Sequence, residues 1–585
     1  MDDQKNFITA MILIGLVWLG YWFYYGKPLA EQARKDAAAE IIAAEAIIEN
    51  PVIPTLSREV ALSASQRISI DTPSLSGSFD LRGTRFDDLR LKNYNQTLEA
   101  DSGPVILLTP EGSDKSSYIF DNWVTPDGGS GITTDWQLVG GTTLTPTTPI
   151  ILQFDGEDFS VRREVSVDDK YLITLTDQVS NTSARELSLI RKGAARQHDL
   201  PDDLTNFFIL QEGPIAVVDK KLVDMKYSKI RKERDVSERG ESGWAGLTDK
   251  YWLTAAIAPQ DKVMTMQFGF RNLNDRDVYE AAYSLAPVTL SPGATINSVG
   301  HIYAGAKERK VLEGYRDDIG ISRMDLAIDW GLLGIITRPM SWALSFLGIS
   351  LGNFGLGIMA LTLGIKIVLF PLFNKQYEGQ AKMKKLQPKM KKLQDRYKDD
   401  RAKLQQEVMA MYRKEGANPV AGCLPIIPTI FIFFALYKSV FINIDMRHKP
   451  FFGYIQDLSA KDPLSILNGF GLLPWDAVPI GFLSFFAIGP LALLYGATMA
   501  LMQTLTPMGG DPMQKKIFAF MPWVFMFILA PFATGLLVYW VWNNVLSFIQ
   551  QYIITRKFKV DTPIDVFFRK ITGKEKAAAG KSDSP

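Results

Sequence analysis

Cysteine and histidine are nearly missing from this 585-residue chain: it holds one Cys, Cys423, and three His, His198, His301 and His448. A single cysteine excludes an intrachain disulfide, so any domain outside the cell must rest on its own apolar core. The histidines lie too far apart to show metal-ligand spacing. No nucleophile–base pair and no nucleotide-binding loop stand out. The glycines of Gly352-Asn-Phe-Gly355-Leu-Gly357 follow no strand and suit a membrane helix better than a dinucleotide fingerprint. Val420-Ala-Gly-Cys423 has the look of a lipoprotein processing box, but so deep in the chain it reads as a small packed cysteine. Net charge is also close to absent, at +1.

That near-zero sum conceals three blocks. Residues 26–329 carry 34 Lys+Arg against 46 Asp+Glu, net −12. Residues 374–416 carry 13 against 6, net +7, and the chain after residue 555 carries 8 against 4, net +4. Basic residues beside membrane spans mark the cytoplasmic side. The acidic block is therefore expected outside, and the basic loop and tail inside.

Apolar runs give the organisation. Residues 7–25 read as a retained membrane anchor, with an aromatic belt at its end, rather than a cleaved signal peptide. Residues 26–56, rich in Ala and Glu, read as a tether. Over 57–323, short alternating stretches such as Tyr171-Leu-Ile-Thr-Leu175 are separated by turn clusters, including Ser291-Pro-Gly293. That pattern predicts an all-β sandwich of antiparallel sheets. The charge-dense stretch 220–241 interleaves both signs and reads as a solvated loop or edge. Residues 324–347 are apolar but interrupted by Gly331, Gly334 and Pro339, and suit an amphipathic helix lying in the outer interface. Five further spans are expected at 354–373, 424–444, 480–505, 517–532 and 534–554 within a core covering 348–555. They give six spans in all, with both termini, including the tail 556–585, on the inside.

Between the second and third spans, 374–416 predicts a helical hairpin. Met383, Leu386, Met390, Leu393 and Tyr397 form one helical stripe. Lysines 382, 384, 385, 389, 391 and 392 occupy the rest. Pro388 is expected to kink the first helix, and Asp399-Asp400 to turn the chain and cap the second. The hairpin is either a solvated loop obeying the positive-inside rule or a dock for an anionic partner such as ribosomal RNA or lipid headgroups, with Lys384, Lys385, Lys389, Lys391 and Lys392 as its contacts.

Lys366 interrupts the second span. A lone cation in a bilayer core is costly, so it faces either a polar cavity or, by snorkelling, the interface about 10 Å away. Polar residues on other spans supply candidate cavity walls. Thr362 lies one turn before Lys366, Gln503 near the inner end of the fourth span, and Tyr539, Asn543, Ser547 and Gln550 on one face of the sixth, flanked by Trp540 and Asn544. The inner-side methionines suit a surface that accepts varied apolar segments.

The stretch from Gly352-Asn-Phe-Gly355 through Phe370-Pro-Leu, Ala381-Lys-Met, Leu386-Gln-Pro-Lys389, Asn418-Pro, Gly422-Cys-Leu-Pro425 and Ala435-Leu-Tyr437 resembles the YidC membrane protein insertases. Asp511-Pro-Met-Gln514, Phe520-Met-Pro522 and residues 535–539 extend the likeness over 324–557. Trp244, Tyr251-Trp252 and the layout of anchor plus large outer domain match the Gram-negative form. The resemblance implies an α-helical polytopic protein with a five-helix core around a hydrophilic groove. It also implies a periplasmic domain with a β-supersandwich fold. It implies an insertase and chaperone of the bacterial inner membrane, working alone or with the Sec translocon, and no cofactor or small-molecule substrate. Nascent membrane proteins, the ribosome, the translocon and membrane lipid are the partners it implies. The groove's cation in bacterial members is usually arginine. Here Lys366 keeps the charge and loses the planar fork. A secondary transporter, an intramembrane enzyme and a carbohydrate-binding outer domain are the rival readings. The first lacks paired inverted halves, the second a nucleophile–base pair, and the third rests on fold alone.

Overall fold

The computed structural model describes residues 56–99, 101–126, 136–202, 204, 210–273, 275–397, 400–416, 426–473, 486–506, 512–559, 562 and 564–565. The anchor at 1–25, nearly all of the tether, residues 566–585 of the tail, Asn418 and Gly422-Cys-Leu-Pro425 lie outside the described residues. The chain divides into two compact units. One comprises Ile53–Ser341 with Lys438–Lys449, the other the remaining C-terminal chain.

The first unit is built on two sheets, of eleven and nine strands. Described neighbours run antiparallel, except where Arg67–Asp71 pairs in parallel with Thr143–Leu144. Strand Phe159–Val167 alternates buried and more exposed positions along its whole length. That is the period-2 pattern of a strand with one face on a core. The shared core takes Ile68, Phe79 and Phe268 from one sheet and Ile150, Val161 and Ile302 from the other. Other strands do not alternate. Gly213–Val218, Gly243–Thr248 and Trp252–Ile257 are buried at every position. Their outer faces meet a second core, in which Trp244, Leu253 and Tyr303 pack against Leu312, Met324, Ile328, Trp330 and Ile442. The stretch 220–241 is mostly exposed and holds strands Lys221–Asp224 and Asp235–Gly240, both at sheet ends.

Three short helices belong to this unit: α1 (Arg58–Ser63), α2 (Tyr227–Glu233) and α3 (Arg309–Asp317). The helix expected from residue 324 begins later. A 3-10 turn at Met324–Ala327 precedes α4 (Gly334–Ser350), and Pro339 lies inside α4 without ending it. The delay has a local cause. Asp325 is paired with Arg316, Arg323 and Arg338, its carbonyl accepts Trp330 Nε1 (3.0 Å), and Gly331 is left-handed at φ +66°. A helix cannot run through such a residue. Segment Lys438–Lys449 docks on the same unit. Lys438 Nζ pairs with Asp329 (2.6 Å), Ser439 donates to the Thr337 carbonyl (3.1 Å), and Arg447 donates to the Gln96 carbonyl (3.1 Å).

The second unit is helical: α5 (Phe354–Val368), α6 (Phe370–Arg396), α7 (Arg401–Lys414), most of α8 (Ile426–Ile442), α9 (Pro490–Gln503), α10 (Pro512–Leu529) and α11 (Thr534–Lys557). Asn353 caps α5 by accepting from Leu356 N (3.1 Å). The run expected to cross as one span, 354–373, is bent by 71° between α5 and α6. Pro371 at the start of α6 has no N–H to continue the ladder, so the helix breaks at Leu369. Pro388 does not break α6, which runs on to Arg396. The fourth expected span narrows. Residues 487–489 are not helical, and α9 starts at Pro490, where the Asp462 carboxylate accepts from Leu491 N (3.3 Å). Among the described residues, no single helix is long and apolar enough to cross a membrane alone, while the bent pair α5–α6 passes by length and composition.

The hairpin forms as its stripe predicts. Leu386 is buried and Met383, Met390, Leu393 and Tyr397 are half-buried. Asp400 caps α7 by accepting from Lys403 N (3.0 Å). Lys389 meets Glu415 (2.6 Å) and Tyr412 Oη meets Met390 Sδ (3.4 Å), so α6 and α7 run antiparallel.

Candidate functional site

Within the helical unit, α5, α6, α8 and α11 line a small, open concavity. Its walls are Thr362, Ile365, Lys366 and Leu369, then Phe373, then Thr429 and Ile432, and finally Tyr539 and Asn543. None of these side chains is acidic. The walls are mostly apolar, with one cation and a few hydroxyl and amide groups.

The bend between α5 and α6 sets the position of the cation. On a straight helix Lys366 and Phe373 would be two turns, about 10 Å, apart. With the bend, Lys366 sits in the last turn of α5 and its Nζ lies 4.5 Å from the centre of the Phe373 ring. Nζ also donates to Ser547 Oγ (2.6 Å), and that hydroxyl donates to the Asn543 carbonyl one turn earlier on α11 (2.6 Å). Only 9% of Lys366 is exposed, and no described carboxylate forms an ion pair with it. The cation is thus drawn onto α11 and buried within the helical unit. Thr362 donates its hydroxyl to the Ile358 carbonyl (2.7 Å), which leaves only its oxygen lone pairs for the concavity.

The expected site residues separate. Lys366, Thr362, Tyr539 and Asn543 come together on the concavity. Trp540 does not join them. It stacks on Phe433 (5.3 Å between centroids) and meets Tyr495 and Phe532 edge-on or tilted. Asn544 donates to Thr498 (3.2 Å) and ties α11 to α9. Gln503 closes α9, away from these walls, and its Nε2 is buried with no hydrogen-bond partner among the described residues. One residue per 100° explains the split: Trp540 and Asn544 each follow a groove residue and so face a neighbouring helix. Ser547 was visible on the polar face of α11, but its bond to Lys366 was not. Phe373, Thr429 and Ile432 were missed, because apolar and threonine residues inside apolar runs carry no signal of their own. Pro371 was the one available hint for Phe373, since it marks the bend.

On the hairpin, Lys384 donates to the Thr504 carbonyl (3.1 Å) and Lys389 pairs with Glu415, while Lys385, Lys391 and Lys392 are exposed.

Comparison with known proteins covers both units. The family model described as "YidC periplasmic domain" matches residues 67–343, and the one described as "60Kd inner membrane protein" matches 346–561. The Membrane protein insertase YidC of Maricaulis maris is 43% identical over 580 residues, covering 96% of this chain and 98% of its own. That of Caulobacter vibrioides is 39% identical over 613 residues, covering 99% and 100%. That of Bradyrhizobium diazoefficiens is 38% identical over 598 residues, covering 95% and 97%. Identity at this level along the whole length leaves one assignment: the chain belongs to the YidC family of membrane protein insertases.

Proposed function

We propose that the concavity around Lys366 receives the polar tail of a nascent membrane protein during insertion. As a member of its family, the chain is an insertase and chaperone of the bacterial inner membrane that assists membrane-protein biogenesis. The observation that carries the proposal is a buried ammonium with no described carboxylate on it. A cation held in a site of low polarity attracts an acidic group more strongly than it would in bulk water. Tyr539 and Asn543 offer polar groups to a passing backbone, which lowers the cost of moving peptide groups through a dry core. No covalent step is required.

The wider arrangement follows the charge blocks. Six spans with both termini in the cytoplasm place the β unit, as a β-supersandwich, in the periplasm and the hairpin inside. Five helices of the C-terminal unit then form the core around the groove. The exposed lysines Lys385, Lys391 and Lys392 support docking to the ribosome or to lipid headgroups, and the Sec translocon is a second partner. Lys366→Met tests the groove. With reporters of graded tail charge, this variant should lose about tenfold in insertion of acidic tails, the equivalent of about 1.4 kcal/mol, and little with neutral ones. Equal insertion at every tail charge, with normal accumulation of the variant, would sink the proposal.

A further inference from the structure

Among the described residues, the groove cation has one hydrogen-bond acceptor, a hydroxyl whose own direction is set by its helix, with the Phe373 ring beside it. Ser547 has one hydroxyl proton, and it is engaged on the Asn543 carbonyl (2.6 Å), one turn earlier on the same helix. A serine that bonds back to the carbonyl four residues before it has its rotamer set by the helix backbone. Its lone pairs then face Lys366 Nζ, which donates to it at 2.6 Å. A lysine ammonium has three N–H groups on a flexible four-carbon stem. One N–H is taken by Ser547, and the Phe373 ring, 4.5 Å away, covers another side. The remaining donor is left to the concavity that Thr362, Tyr539 and Asn543 share.

We propose that Ser547 is the positioning residue of this groove, fixing the Lys366 ammonium so that it presents one donor to one anionic oxygen of the entering chain. The inference rests on the reading that Lys366 attracts acidic tails. It adds which residue aims the charge and what geometry it accepts. A guanidinium in the same place would offer two parallel donors to both oxygens of a carboxylate. Here the contact is to a single oxygen, so one isolated Asp or Glu in the tail suffices, and the aim depends on a hydroxyl across the seam between α5 and α11. The free ammonium would otherwise sample many positions along its stem. Ser547 thus acts through Lys366, without touching the substrate.

The test is a double-mutant cycle in the full-length protein reconstituted in lipid vesicles. Insertion is measured for one reporter whose tail carries either a single Asp or none. The variants are Ser547→Ala, Ser547→Thr, Lys366→Met and the double change Ser547→Ala with Lys366→Met. The advantage of the Asp tail over the neutral one should fall about threefold to tenfold in Ser547→Ala, on the scale of one ordinary hydrogen bond. Threonine keeps the hydroxyl and the same backbone bond, so Ser547→Thr should restore the advantage. In the Lys366→Met background, Ser547→Ala should change nothing further, because no ammonium remains to be aimed. Two results would overturn the inference alone: an unchanged Asp-tail advantage in Ser547→Ala, or an equal loss from Ser547→Ala with and without Lys366. If Lys366→Met itself keeps the full advantage, the underlying reading falls and the inference goes with it.

Discussion

In the β unit, four charged side chains with no exposure at all answer one another; in the helical unit, one nearly buried cation meets, among the described residues, a hydroxyl and a ring. Arg163 meets Asp177 through two bonds (2.7 and 2.8 Å) and also donates to Thr84 and to the Asp121 carbonyl. Arg191 meets Asp121 (2.8 Å) and Ser298 (2.9 Å), Tyr283 donates to Asp121, and Trp123 Nε1 donates to Asp177 (2.9 Å). Trp136 covers Arg163 at 4.8 Å. Two positive and two negative charges cancel, and their hydrogen-bonding capacity is largely spent, so nothing there awaits a partner. Burial first and then the Asp121 charge outweigh the Arg191 charge and push the Tyr283 phenol well above its usual range, so it stays protonated. Lys366 has no such acid partner among the described residues. On the proposed reading, the difference separates a charge that locks a fold from one left for a substrate. Burial alone does not distinguish the two, because both are deep; what differs is the opposite charge within reach of each.

Breaking the closed network should have the largest effect. Arg163→Met removes one member and strands Asp177 in the core. A loss of about 3–5 kcal/mol in stability of the β unit is expected, because a buried charge without its partner is so costly. Chemical unfolding of the purified protein, followed by the near-ultraviolet signal and by protease resistance of the β unit, measures it. A loss under about 1 kcal/mol would mean that the network is not locking the sandwich.

Acid should weaken the same unit next. Burial lowers His198 and His301 to about 4, with Arg276 and Arg191 respectively adding to the effect. Between about pH 6.5 and pH 4 the unfolded chain binds protons that the folded chain refuses. Stability is therefore fully present above pH 6.5 and falls as pH drops towards 4. Each histidine accounts for about 1–3 kcal/mol of that fall. Replacing both by Gln should flatten the slope of stability against pH in this window, and an unchanged slope would assign it to carboxylates instead.

Much of this contrast was open to sequence reading, and the part that was not has a physical reason. Period-2 alternation found the sandwich, and the Met383–Leu386–Met390 spacing and Asp400 found the hairpin with its cap. Alternation failed where strands such as Trp252–Ile257 are covered on both faces, since a continuous buried run has no period. The polar face of α11 revealed Tyr539, Asn543 and Ser547 by spacing. It could not exclude Trp540 and Asn544, because which neighbour each side of a helix meets is decided by packing. The closed network was invisible. Arg163, Arg191, Asp121 and Asp177 look like ordinary strand charges until the register of four strands brings them together.

The hairpin offers a third and weakest case, in which charge is compensated by water. Reversing Lys385, Lys391 and Lys392 to Glu should leave stability within about 0.5 kcal/mol, as expected of exposed groups. It should weaken binding to ribosomes and reduce its dependence on salt. Binding with an unchanged salt slope would leave these lysines a topological role only.

The most direct measurement inverts the groove charge, which meets no carboxylate among the described residues. Lys366→Glu and the wild type are compared in reconstituted vesicles, with reporters whose tails run from acidic through neutral to basic, at matched protein levels. If the groove works through the sign of its charge, Lys366→Glu reverses the order: basic tails are inserted better than acidic ones, while neutral tails change least. A variant that loses all tails to the same extent, with no reversal, would contradict the account, because Lys366 would then be holding the helices together rather than receiving the chain.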